Sequence, residues 1–150
     1  MNAAPLHLML VHIPIVMMPC MTAILFYGLK RKNPDLVRTA LMLLVLTSLI
    51  MIVAYLTGEG AEETIEHLPG IIEDNIEKHE DTALYALLSV LLTGTLSFVA
   101  LIWARMRPIA LGLALMSSVL LIWTGSLGGY IRHSEEINQT TGAQGLEVKK

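Results

Sequence analysis

The chain has 150 residues, 54% of them hydrophobic and only 15% charged, with a net charge of −3 and a mean hydropathy of +0.62. A soluble domain carries about a quarter charged residues. Here charge is absent from four long stretches and gathered between them, which excludes a disordered chain, a nucleic-acid binder and an ordinary soluble enzyme, and leaves a small all-α integral membrane protein.

The first apolar run extends from about Leu6 to Leu29 and is closed by Lys30-Arg31-Lys32. The N-terminus before it has no basic region of the signal-peptide kind, so this run is read as a retained span. Pro14 and Pro19 fall inside it and predict a bend. The second span covers about residues 39–57 and ends at Gly58-Glu59-Gly60. Residues 59–81 form a polar link in which Ile65, Leu68, Ile72 and Ile76 recur at helical spacing, as in a helix lying on a membrane surface. Pro69-Gly70 should break it into two pieces. The third span covers about 82–104, and the fourth starts at Pro108 and reaches about Ile131. Each span is near the ~20 residues needed to cross the hydrocarbon as a helix. Residues 1–133 are therefore one four-transmembrane-helix bundle, and 134–150 a mobile polar tail. No internal repeat is evident.

Side follows from the cations. Lys30, Arg31, Lys32, Arg38, Arg105 and Arg107 all fall in the first and third links. The positive-inside rule puts those links in the cytoplasm and both termini outside, with the acidic loop and tail on the periplasmic face of a bacterial inner membrane.

The five histidines, His7, His12, His67, His79 and His133, all fall at the outer end. An ionisable residue inside a span marks a functional site by default, and His12 lies roughly 9 Å along the first helix from Leu6. His79 opens the third span and His133 closes the fourth. Gly125, Gly128 and Gly129 approach His133, and glycine lets either a neighbouring helix or a flat cofactor come close. Imidazoles on facing helices with glycines beside them suit a bis-histidine haem b. His7, His12, His79 and His133 are the candidate ligands, for one haem or two. In an up-down bundle the first and third helices lie diagonally, which favours His12 with His79 and leaves His7 with His133. His67, among Glu63 and Glu66, reads as solvated. Met9, Met17, Met18 and Met21 share one span, so copper is the alternative ion, although packing explains methionines there more simply. The single cysteine, Cys20, excludes an intrachain disulfide, and no Cys-x-x-Cys-His attaches a c-type haem.

The opening Leu6-His7-Leu8-Met9-Leu10-Val11-His12-Ile13-Pro14 resembles the His-Pro-x-x-Val-His-Phe-Pro start of a widespread bacterial family of four-span membrane proteins of unknown function. Thr57-Gly58, His79, Gly128-Gly129 and Tyr130-x-x-His133 follow in that family's order, with one residue more than usual between Tyr and His. The resemblance covers about Leu6 to His133 and implies haem or metal binding in a membrane redox setting. Together the residues and the resemblance lead us to expect a b-type cytochrome, an electron-transfer subunit more than an independent enzyme. It would work with other membrane subunits, a quinone and a periplasmic redox protein. A non-redox scaffold and a copper-binding membrane protein are the competing expectations.

Overall fold

A computed structural model of the chain describes residues 3–58 and 73–147, with side chains described for 5–58 and 77–129. The surface link expected before Glu73, including His67, lies outside these residues. Helix α1 spans Ala3–Arg31, α2 Pro34–Leu56, α3 Glu73–Ile102 and α4 Arg107–Glu147, and a short 3-10 turn, Ala104–Met106, precedes α4. There is no strand among the described residues. Four segments are long and apolar enough to cross a membrane: Pro5–Arg31, Pro34–Leu56, Glu77–Ile102 and Ala104–Gly129. They overlap the four expected spans. Helix α4 continues past the end of its apolar run as far as Glu147. No proline follows Pro108, and a helix already nucleated extends by one hydrogen bond for each residue it fixes.

The turn between α1 and α2 is closed by local chemistry. Asn33 N–H donates to Gly28 O (2.9 Å) and Lys32 N–H to Leu29 O (3.2 Å), with Lys32 left-handed at φ 52°. This is the paired end that satisfies a helix's last carbonyls. Asn33 then caps α2, its Oδ1 accepting from the N–H groups of Asp35 and Leu36, both at 3.1 Å, with Pro34 at the first helical position. At this same basic end the Arg31 guanidinium stacks over Tyr27 at 5.4 Å and that of Arg105 over Trp103 at 5.6 Å. Such pairs hold a charge over an amphipathic ring, as suits a membrane–water boundary.

Helix α1 packs on α2 and α4, and α3 packs on α2 and α4, so α1 and α3 face each other diagonally. Met18, Leu25, Leu41, Leu44 and Val90 are fully buried at the centre. The outer faces are apolar: Met9, Leu56, Ile102 and Val119 are each at least 66% exposed. A surface so rich in bare hydrocarbon is stable only against lipid.

Lipid gives no hydrophobic drive for helix association, so close fit and hydrogen bonds hold the bundle. Thr93 Oγ1 and Ser117 Oγ lie 2.9 Å apart between α3 and α4, and Thr22 Oγ1 and Ser118 Oγ 3.3 Å apart between α1 and α4. Gly94 lies directly against Ser48 of α2. Ser97 Oγ is fully buried and without a partner among the described residues. An unsatisfied buried hydroxyl costs about 1–3 kcal/mol. Ser97→Ala should therefore leave stability unchanged or raise it, measured as resistance to unfolding in mixed detergent micelles. A clear loss would mean that the hydroxyl has a partner.

Candidate functional site: a pair of imidazoles at one end of the bundle

His7 and His79 occupy matching places. Each is the third residue of its membrane-spanning segment, about 3 Å in from its start at ~1.5 Å per residue. Because α1 and α2 are antiparallel, His7 meets the end of α2. Its Nδ1 lies 3.0 Å from Ala54 O and 3.1 Å from Thr57 Oγ1, and the Thr57 hydroxyl itself donates to Ala54 O at 2.8 Å. A carbonyl can only accept, so Nδ1 carries the proton. His79 repeats the arrangement on the other hairpin: its Nδ1–H donates to Thr124 O of α4 at 3.1 Å, while Thr124 Oγ1–H donates back to Thr82 O of α3 at 3.2 Å.

In a neutral ring this tautomer leaves Nε2 with its lone pair. A metal-binding histidine is almost always held this way, its second N–H on a backbone carbonyl. Both rings are partly buried.

The glycines prove to serve different neighbours. A Cβ at Gly128 would stand 3.1 Å from His79 Cε1, and one at Gly58 would stand 3.5 Å from His7 Cε1. Each glycine is four residues after the carbonyl that fixes its ring; at Gly128 a Cβ would press on the ring, whereas at Gly58 it would make only ordinary contact. A Cβ at Gly125 would instead meet Ile15 of α1 at 3.1 Å, a helix-packing contact. A Cβ at Gly129 would meet nothing within 4 Å among the described residues.

His12 lies elsewhere. It is exposed, and its Nδ1 bonds the carbonyl of Leu8 in its own helix. Residues five apart on a helix are turned by about 140°, so His7 and His12 cannot face the same neighbour. The structure thus seats His7 and His79 alike, each on a carbonyl of the other helix of its hairpin, while His12 is exposed on another face of α1. His133 is in the backbone of α4, but its side chain lies outside the described ones. Among the methionines, Met9 is exposed while Met18 and Met21 belong to the packed core. Among the described residues no three His, Cys, Asp or Glu gather to hold a metal ion. The residues that sequence reasoning left out of the site are Ala54, Thr82 and Thr124; Gly58 was marked only as a glycine closing the second span, and Thr57 entered through the resemblance.

Four apolar spans, antiparallel and packed around small and hydroxyl side chains, define a polytopic helical membrane protein. The chain belongs to the family described as Predicted membrane protein (DUF2231), whose model matches residues 3–141. No curated protein and no solved structure matches it.

Proposed function

We propose that this protein is a b-type cytochrome of the bacterial inner membrane, an electron-transfer subunit that holds one haem b between His7 and His79. The observation that supports this is the donor set: two imidazoles on diagonal helices, each with Nδ1–H spent on a backbone carbonyl and Nε2 left free. Two protein ligands are what a metal already held by a porphyrin requires, whereas a copper or zinc ion without a macrocycle would need more. Haem, when bound there, supplies reversible one-electron transfer. The chain's own part is to fix the ring orientation through Ala54, Thr57 and Thr124, to leave room through Gly58 and Gly128, and to exclude water with the apolar bundle.

The six cations of the two short links favour a cytoplasmic location for that end, which sets the imidazole pair near the periplasmic face. Electrons would then pass between a quinol in the outer leaflet and a redox partner docked outside, or a neighbouring membrane subunit. The test is the optical spectrum of the purified protein. A low-spin haem spectrum is expected, lost in both His7→Ala and His79→Ala while the chain still inserts, since hydropathy sets insertion. Full retention of the spectrum in both variants removes these ligands. A colourless protein carrying copper would favour the metal-binding alternative.

A further inference from the structure

The two hairpins match position by position, although their residues differ. Adding 72 to the buried positions Pro14, Met18, Met21, Thr22, Leu25 and Gly28 of α1 gives Ala86, Val90, Thr93, Gly94, Ser97 and Ala100 of α3, all buried. Adding 70 to Ala40, Leu44, Thr47, Ser48, Met51 and Ala54 of α2 gives Ala110, Ala114, Ser117, Ser118, Leu121 and Thr124 of α4, again all buried. The mismatches are mild: Ser89 is buried where Met17 is half-buried, and Val37 and Leu41 are buried where Arg107 and Leu111 are half-buried.

A shared helical period would align buried faces at several offsets. The contacts select these two. The same 72 carries His7 onto His79, and the same 70 carries Ala54 onto Thr124 and Gly58 onto Gly128. Those are the ring, the accepting carbonyl and the open glycine of each half. One seam contact repeats as well: the Gly94–Ser48 contact between α3 and α2 falls on the Thr22–Ser118 pair between α1 and α4.

We infer that the chain is a tandem duplication of one helical hairpin, and that His7 and His79 are equivalent halves of one site astride the axis relating the copies. Each copy contributes one imidazole, a carbonyl from its partner helix that fixes the ring, and a glycine that admits it. A planar group held there would be bound by two like imidazoles. The nature of that group rests on the function proposed above; the equivalence of the two rings does not.

The test has two arms on the full-length protein. In haem-free protein, nitrogen NMR of the imidazoles, assigned with His7→Gly and His79→Gly, should show both rings as the Nδ1–H tautomer. In haem-loaded protein, the same two variants should give matching five-coordinate, high-spin spectra. Added imidazole should restore the low-spin state in both, at concentrations agreeing within about fivefold, since each vacated space lies between a backbone carbonyl and a glycine. Unlike tautomers, or rescue of one variant alone, would overturn the equivalence. Wild-type protein that takes up no haem would remove the cytochrome assignment and leave the tautomers to decide the inference.

Discussion

Gly94→Leu should dismantle the bundle. Even the first carbon of a side chain at this position would fall on Oγ and Cβ of Ser48. Cβ is fixed to the α2 backbone and cannot swing aside, so the two helices must separate. Overpacking of this kind costs about 1–3 kcal/mol for a modest side chain, which is the loss expected for Gly94→Ala in a detergent unfolding titration. Leucine adds three more carbons and should leave little folded, monodisperse protein. The cause can be isolated, because Ser48→Gly removes both clashing atoms. Gly94→Ala with Ser48→Gly should regain most of the loss, and an unchanged loss would place the fault elsewhere.

Gly128→Leu should drive the His79 ring from its seat on the Thr124 carbonyl. The ring lies so near that a bare Cβ is tight, at 3.1 Å from Cε1. Alanine asks the imidazole to give way by a few tenths of an ångström. Leucine takes the ring's place and breaks the bond from Nδ1 to Thr124 O. In the optical and NMR measurements Gly128→Leu should therefore resemble His79→Ala, with Gly128→Ala near wild type. Two positions serve as controls. Gly129→Ala should change nothing, since its Cβ would meet no atom of the described residues within 4 Å, and Gly58→Ala should be harmless, since its Cβ would meet His7 at an ordinary 3.5 Å. A Gly128→Leu protein with an intact His79 signal would show that the ring has another seat.

Much of the fold was legible because lipid imposes a coarse rule: apolar runs of about 20 residues must be helices, and polar breaks must lie between them. Hence the four spans and the diagonal placement of α1 and α3 follow from hydropathy and connection order. Helical phase was harder to read. His12 looked the better ligand because it is deeper in the apolar run, but depth does not say which way a side chain faces. α1 is apolar on every side, so its sequence carries little sign of which face is inward. The inward face is set by Met18, Leu25 and Gly28 packing on neighbours. Thr124 was illegible for another reason: it contributes a backbone carbonyl to His79, and any residue has one. The repeat was hidden because the two copies keep positions in common and change the residues, with a large Met18 or Leu25 in one hairpin where Val90 or Ser97 stands in the other.

The seams α2–α3 and α1–α4 are counterparts, yet only one is shut. Where Gly94 lets α3 settle onto Ser48, Thr22 holds α1 off Ser118 by the length of a hydrogen bond. A furrow of about 220 Å³ opens there, lined by Pro19, Thr22, Ala23, Phe26, Leu115 and Ser118. Two nearly like halves would otherwise look alike after half a turn about the membrane normal. The closed Gly94 contact lies on one flank and the Thr22 furrow on the other, so the molecule has a front and a back in the plane of the bilayer. A neighbour that packs by shape can therefore tell a rotation of half a turn from none.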